Sequence, residues 1–212
     1  MPLKQDADQK IWSVKQCGDR RISRANLQKH AGNDKKENSQ RYHHQENRPR
    51  QVKMAKILVV YDSRSGNTEK MASAIVEGAK ETKGVKVIVK KASRTNVEDL
   101  ISADGIIMGS PTYYGLMSGK LKTLIDESVK IHGKLDGKVG AAFTSSGGVA
   151  SGAETTLLSI LQAMLVHGMI VQGKSEDKHY GAAALGTPKE KDIASCRDLG
   201  RRVVILVMKL KK

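Results

Sequence analysis

The sequence predicts an α/β fold in which five parallel strands form a doubly wound sheet with helices on both faces. Short apolar runs, rich in valine and isoleucine, alternate with helical patterns from residue 54 to the end of the chain. Loops rich in glycine, serine and threonine follow three of these runs. Residues 54–212 are numerous enough to form one domain with a substantial core.

Each predicted strand is a short, continuous apolar run, as expected for a strand buried on both faces. The runs cover residues 57–61, 85–89, 105–109, 139–144 and 169–171. The helical patterns between them cover residues 68–83, 97–102, 120–130 and 153–167. The last helix is predicted to open with a capping box from Thr187 to Glu190, with Pro188 at its first position.

Residues 1–53 differ in composition from the rest of the chain. They hold 13 basic and 6 acidic residues, many Gln and Asn residues, and almost no aliphatic periodicity. Such a segment cannot bury enough apolar surface to offset its ordering entropy, so we predict a disordered basic extension. Met54 directly precedes the first strand, which suggests the hypothesis that Met54 is the natural start. The competing interpretation is a basic arm that binds nucleic acid or an anionic membrane. It is less favoured, because the segment has no repeated motif and only Trp12 and Tyr42 are available for base stacking.

The charge, the apolar stretches and the cysteines of the chain indicate which membrane, disulfide and metal features to expect. Residues 54–212 hold 24 basic and 16 acidic residues. The apolar stretch 203–208 is too short to cross a bilayer, so no membrane span is expected. Cys17 and Cys196 show no C-x-x-C spacing, so we expect neither a disulfide framework nor a metal site. The chain is therefore predicted to be cytoplasmic.

The first apolar run leads directly into SRSGNT at residues 63–68 and then into a helix. Hydroxyl groups, a glycine and the free amides of a helix N-terminus favour a bound phosphate. No lysine lies in this loop, and GLMSGKL at residues 115–121 is too short for a Walker loop. No G-x-G-x-x-G follows a strand either. A single phosphomonoester, such as that of FMN, fits better than a nucleoside triphosphate or a Rossmann-bound dinucleotide.

Two further loops leave the third and fourth predicted strands. SPTYYG at residues 110–115 offers two adjacent tyrosines, and SSGGVASG at residues 145–152 offers small residues whose backbone can approach a flat ring. Ligands of doubly wound sheets bind beyond the carboxyl ends of the strands. The three loops together predict a pocket for a phosphorylated planar heterocycle.

These motifs resemble the flavodoxin superfamily, and within it the WrbA-type flavoproteins, which include NAD(P)H:quinone oxidoreductases. The resemblance covers residues 54 to the C-terminus and implies a flavodoxin-like sheet with strand order 2-1-3-4-5. It is carried by S-x-S-G-N-T at residues 63–68, GSPTYYGLMSGKLKTLID at 109–126, FTSSGG and GAETTLLSIL within 143–161, HGM at 167–169, and HYGAAA at 179–184.

The resemblance implies FMN as cofactor, NADH or NADPH as electron donor, and three groups of binding residues. The FMN phosphate is expected on Ser63, Ser65, Gly66, Asn67 and Thr68. The ring is expected against Pro111, Thr112, Tyr113, Tyr114 and Gly115, with one of the two tyrosines on its face. The polar edge of the ring and the ribityl chain are expected on Ser145, Ser146, Gly147 and Gly148.

The resemblance assigns no catalytic residue to the protein, because flavin N5 does the chemistry. Two histidines are possible residues on the substrate side. His167 matches a position that approaches the flavin of a neighbouring subunit in WrbA-type proteins, and His132 is a candidate for the same wall. A homo-oligomer, either a dimer or a tetramer, follows from the same resemblance.

Two functions remain open from the sequence. The first is NAD(P)H-dependent two-electron reduction of quinones, and the second is single-electron transfer between protein partners by a flavodoxin-like carrier. The chain departs from the WrbA pattern, since residues 128–138 contain no tryptophan and the insertion between Val171 and His179 is short. Carriers commonly present an acidic rim, whereas residues 54–212 carry a net positive charge. A nucleic-acid-binding flavoprotein would rest on charge alone.

Overall fold

The computed structural model describes residues 54–211, so the extension predicted for residues 1–53 lies outside the described part of the chain. Two 3₁₀ turns, Ala92–Arg94 and Ser128–Ile131, follow the second strand and the third helix. The strands and helices, in chain order, are β1 (Ala55–Tyr61), α1 (Asn67–Lys80), β2 (Val85–Lys91), α2 (Val97–Ser102), β3 (Gly105–Pro111), α3 (Gly119–Glu127), β4 (Val139–Ser146), α4 (Ala153–Val166), β5 (Ile170–Val171), β6 (Ala182–Leu185) and α5 (Glu190–Leu210).

The strands form one parallel sheet in the order β2-β1-β3-β4-β5, which confirms the predicted strand order. A sixth strand, β6, was not predicted. β5 pairs with Val139 and Gly140 at the start of β4, whereas β6 pairs with residues 143–146 at its end. Two short strands therefore share the outer position beside β4, and residues 172–181 connect them. β6 consists of three alanines and a leucine, and alanine is depleted in strands, so its sequence carried little strand signal.

The helices form two layers, one on each face of the sheet, as the sequence predicted. Side chains of α1 and α5, such as Ile75 and Val203, belong to the core on one face. Side chains of α2, α3 and α4, such as Leu121 and Ile160, belong to the core on the other face. All eight residues of β4 are buried, so its sequence does not alternate between apolar and polar residues.

Helix boundaries differ from the sequence prediction in three places. α1 ends at Lys80 rather than at residue 83, and the predicted helix 120–130 divides into α3 and a 3₁₀ turn. The last helix begins at Glu190, so the capping box predicted at Thr187 is wrong. The Asp192 carboxylate instead accepts a hydrogen bond of 3.0 Å from the Lys189 amide. An acidic side chain at the third helical position thus fixes the start of α5.

The carboxyl ends of β1, β3 and β4 bring three loops to one edge of the sheet. The loops span residues 62–66, 112–118 and 147–152, and we call them the first, second and third loops. The Asp62 amide donates to the Gly109 carbonyl at 3.0 Å, and the Thr112 amide donates to the Ser145 carbonyl at 2.8 Å. Within residues 54–211, no helix is both long and apolar enough to span a membrane.

Candidate functional site

The first loop leaves the N-terminus of α1 open to an anion. Gly66, with a φ of 89°, occupies the N-cap position, and no side chain caps the helix. The amides of the first helical turn lack partners within the helix, and the helix dipole is positive there. The Gly66 amide donates to the Ser63 hydroxyl at 3.1 Å, which curls the loop, while Ser65 is exposed at its tip. The loop therefore has the shape and charge of a phosphate seat.

The side chain of Thr68 makes a contact that the sequence did not predict. Its side chain is buried, and its hydroxyl lies 2.9 Å from the Ser145 hydroxyl at the end of β4. The Thr68 amide still faces the open end of α1, but the hydroxyl joins the first loop to the strand that leads into the third. Thr68 and Ser145, assigned to separate parts of the ligand by the sequence, thus form one buried contact.

The second loop is a tight turn that presents both tyrosines to solvent. Tyr113 and Leu116 exchange two backbone hydrogen bonds of 3.0 Å. The residues between them, Tyr114 and Gly115, have φ values of 51° and 77°, as in a type I′ turn. Tyr114 is fully exposed and Tyr113 is 39% exposed. A tyrosine held at positive φ is strained, which is typical of functional loops.

Buried hydroxyl groups hold the base of the second loop. The Ser110 hydroxyl accepts from the Ser118 amide at 2.7 Å and donates to the Pro111 carbonyl at 2.7 Å, closing the loop. The Thr144 hydroxyl donates to the Ser110 carbonyl at 2.7 Å. Since that hydroxyl has one proton, the Thr112 hydroxyl, 3.0 Å away, must donate to it. This network fixes the expected ring-lining segment against β4.

Two residues that the sequence analysis did not select connect the second loop to α4. The Thr155 hydroxyl lies 2.7 Å from the Gly115 carbonyl and 3.1 Å from the Gly152 carbonyl. Gly152 has a φ of 91°, and a Cβ built on it would lie 2.5 Å from the Gly115 Cα. Only glycine permits this approach. Gly152 and Thr155 both lie in the G-A-E-T-T segment, but the contact of Thr155 with Gly115, forty residues away, cannot be predicted from local pattern.

The third loop supplies the small residues predicted for the ring edge. Ser145 and Ser146 are buried at the end of β4, whereas Gly147 is exposed and Gly148 is partly buried. The Ser151 hydroxyl donates to the Gly148 carbonyl at 2.6 Å, which folds the loop back on itself. A Cβ on Gly147 would meet nothing within 4 Å, so the loop leaves open space on that side.

Tyr61, a buried residue at the end of β1, supports the first loop. The Tyr61 hydroxyl donates to Glu69 at 2.5 Å, and Lys91 lies 3.6 Å from the same carboxylate. Burial, followed by the hydrogen bond to Glu69, raises the pKa of Tyr61 to about 12. The hydrogen bond from Tyr61 holds the pKa of Glu69 below its usual value. Tyr61 therefore stays neutral, and its role is to orient the first turn of α1.

The two histidines lie at the opposite edge of the sheet from the three loops. His167 is the C-cap residue of α4, and the carbonyl of the next residue, Gly168, accepts from the Gly137 amide just before β4. The rings of His132 and His167 have centroids 6.1 Å apart. Because α4 runs from the loop edge to the amino edge, these histidines do not line the loops of their own chain.

The protonation state of His167 follows from its contacts. The Ser128 hydroxyl donates to the Ile125 carbonyl at 2.6 Å, so Nε2 of His167 must donate to that hydroxyl at 2.8 Å. Nδ1 is buried and has no partner among the described residues. Burial and the neighbouring His132 lower the pKa of His167. His167 is therefore the neutral tautomer near neutral pH.

Together the loops offer a phosphate seat, an exposed tyrosine pair and a small-residue wall, joined by buried hydrogen bonds. A phosphorylated flat ring fits this set, because the uncapped amides suit an anion and the tyrosine faces suit an aromatic ring. Among residues 54–211, no group of three His, Cys, Asp or Glu side chains is arranged to hold a metal ion.

Comparison with known proteins finds that the chain is similar to flavoproteins. The family model of the NADPH-dependent FMN reductases matches residues 88–176. A flavodoxin of Aquifex aeolicus is 42% identical over 158 residues, covering 71% of this chain and 85% of that protein. An NAD(P)H dehydrogenase (quinone) of Archaeoglobus fulgidus is 38% identical over 191 residues, covering 74% of this chain and 100% of that protein.

Solved structures show the same similarity. A flavodoxin from the domain Archaea has a TM-score of 0.60 and 32% identity, covering 72% of this chain and 99% of that one. A WrbA-like flavodoxin from Agrobacterium tumefaciens has a TM-score of 0.62 and 27% identity, covering 73% of this chain and 98% of that one.

Proposed function

Because the chain belongs to the flavodoxin superfamily, in the group of the WrbA-type NAD(P)H dehydrogenases (quinone), we propose that it binds FMN and reduces quinones with NADH or NADPH. FMN bound at the three loops supplies the redox chemistry, namely acceptance of a hydride and delivery of two electrons. The chain binds and orients the ring, and no protein side chain is assigned a covalent step.

In this proposal each loop has one task. The uncapped amides of α1 and the hydroxyls of Ser63 and Ser65 hold the phosphate. Tyr113 or Tyr114 covers one face of the ring and limits access of water to it. Gly147 and Gly148 approach the polar edge of the ring with their backbone. The remaining face is left open to a nicotinamide and then to a quinone.

The buried contact between Thr68 and Ser145 carries the proposal, because it joins the expected phosphate seat directly to the expected ring wall. Preorganised sites bind more tightly, since less ordering is needed on binding. Thr68→Val keeps the shape of the side chain but removes the hydroxyl. Loss of one such hydrogen bond is worth about 1 kcal/mol, so we expect FMN affinity to fall roughly five- to tenfold.

The experiment measures FMN affinity by quenching of flavin fluorescence, and then NAD(P)H:quinone reductase activity. Thr123→Val is the matched control, because the Thr123 hydroxyl is exposed on α3 and, among residues 54–211, bonds only to the Gly119 carbonyl. Equal FMN affinity for both variants would contradict the preorganised site. Bound FMN that neither nicotinamide nucleotide reduces would contradict the reductase.

A second candidate function is single-electron transfer between protein partners. The 42% identity to a flavodoxin favours it. A carrier would be inert to NADH and NADPH and would take up its electrons one at a time from a reduced protein or a photochemical donor. The partner would present an acidic surface, because residues 54–212 carry a net positive charge.

We further propose a homo-oligomer, either a dimer or a tetramer, in which His167 and His132 face the flavin of a neighbouring copy. Val129 and Val166, beside these histidines, are 71% and 74% exposed, which supports a contact surface there. Val166→Glu should give a monomer by light scattering, whereas Ile205→Glu, an exposed apolar position on α5, should not. A monomeric wild-type protein would contradict the oligomer.

We also propose a cytoplasmic location, which is in keeping with the free, buried thiol of Cys196.

A further inference from the structure

A groove of about 460 Å³ opens beside the third loop and is not used by the proposed FMN site. It shares only Ser146 and Gly148 with the residues assigned to the flavin. Its other walls come from the N-terminus of α4, from β6, from the start of α5 and from the segment between β5 and β6. The volume lies within the range of small-molecule sites. We call it the α5 groove.

The charged groups of the α5 groove are of both signs. Asp192 is 6% exposed and pairs with Lys178 at 3.1 Å. Burial acts to raise the pKa of Asp192, but hydrogen bonds from the Lys189 amide and Lys178 hold it below its usual value. The Asp192 carboxylate and the Lys178 ammonium therefore neutralise each other.

Two lysines of the groove remain available to a ligand. Lys189 and Lys191 are exposed at the start of α5 and form no ion pair within residues 54–211. The Lys70 ammonium lies 3.4 Å from the Pro188 carbonyl, directly before them. Glu154 and Asp177 also line the groove. Phosphate groups bind ammonium donors and ribose hydroxyls can donate to carboxylates, and residues of both kinds line the groove.

We propose that the α5 groove binds the ADP portion of the electron donor, with its phosphates on Lys189 and Lys191 and a ribose hydroxyl on Glu154 or Asp177. The lining of the groove includes Gly148, in the loop assigned to the edge of the flavin ring. A nicotinamide nucleotide that enters along this loop has its nicotinamide on the ring and its ADP in the groove. The inference rests on the proposed function, since it names where the donor of that reaction is held.

The test uses the FMN-loaded full chain with both lysines reversed, Lys189→Glu and Lys191→Glu. The Lys189 backbone, not its side chain, meets Asp192, and a glutamate near a helix N-terminus favours the helix, so folding should be retained. Lys83→Glu is the control, because Lys83 is an exposed residue between α1 and β2 without an ion pair in the described chain. Calorimetry with ADP is the first readout. We expect ADP to bind wild type and control, and to bind the double variant at least tenfold more weakly.

Kinetics give the second readout. Reduced nicotinamide mononucleotide carries the same hydride as NADH but lacks ADP. We expect the ratio of KM for NADH to KM for this mononucleotide to rise at least tenfold in the double variant and to stay unchanged in Lys83→Glu. ADP binding that is absent, or equal in all three proteins, would overturn the inference even if the reductase is active. If neither nucleotide reduces the flavin, the proposed function fails, and the ADP titration alone still decides whether the groove is a nucleotide site.

Discussion

Alanine at Gly152 is expected to force apart the second loop and α4. The residue has a φ of 91°, and its new Cβ would lie 2.5 Å from the Gly115 Cα and 3.0 Å from the Thr155 hydroxyl. Substitutions at two other glycines of the site separate the effect of backbone strain from the effect of overpacking. Gly66 has a φ of 89° but open space around it, and Gly147 has open space without a positive φ.

The three substitutions should give graded losses of stability. Gly147→Ala should be neutral or stabilising by about 0.5 kcal/mol, because alanine restricts the unfolded chain. Gly66→Ala adds the left-handed backbone strain, and we expect a loss of about 1 kcal/mol. Gly152→Ala adds overpacking to the same strain, and we expect a loss of about 3 kcal/mol.

Urea denaturation of the FMN-free protein measures the three free energies of unfolding. Fluorescence titration then measures FMN affinity, which should fall most for Gly152→Ala because the Gly115 carbonyl loses its hydrogen bond from Thr155. If Gly152→Ala were no less stable than Gly66→Ala, the contact between the second loop and α4 would not be tight, and the reasoning would be refuted.

Three further outcomes are expected. Tyr114→Asn should stabilise the FMN-free protein by about 1 kcal/mol, because asparagine tolerates positive φ, and should weaken FMN binding; a less stable variant would contradict the strain. The pKa of His167 is lower in the folded chain than in the unfolded chain, so on acidification the unfolded chain binds a proton there first. The free energy of unfolding should therefore fall between about pH 7 and about pH 5. His167→Gln should lose less stability over this interval in urea titrations, and an equal loss would exclude His167 as the cause. Burial raises the pKa of Cys196 to about 12, so in Cys17→Ser protein its thiol should react with a disulfide reagent only at the rate of unfolding.

The parallel sheet and the grouping of the loops could be predicted from local pattern, whereas the strand order was implied by the resemblance to the flavodoxin superfamily. Apolar runs of the right length specify buried parallel strands, and the connection rules then bring the carboxyl ends of β1, β3 and β4 to one edge. The presence of two short strands, β5 and β6, beside β4 could not be predicted, since β6 is alanine-rich and is defined by its pairing with residues 143–146. Burial of its alanines against α5 replaces the propensity that the sequence lacks.

The sequence named candidate residues for the site but not the contacts between them. Thr68 was expected to contact the phosphate through the helix amides, and the contact of its hydroxyl with Ser145, seventy-seven residues away, was not predicted. Thr155 and Gly152 were not selected, because their importance depends on the position of Gly115 across the loop edge. Each of these contacts is long-range, so it is fixed by the tertiary fold and not by any pattern within a window of sequence.

Anaerobic titration of the FMN-loaded full chain with NADH, and separately with NADPH, tests the central claim most directly. The account predicts that about one equivalent of a nicotinamide nucleotide bleaches the flavin absorbance and that a soluble quinone restores it. Flavin that stays oxidised with both nucleotides, yet takes up single electrons from a photochemical donor, would contradict the reductase and establish the carrier.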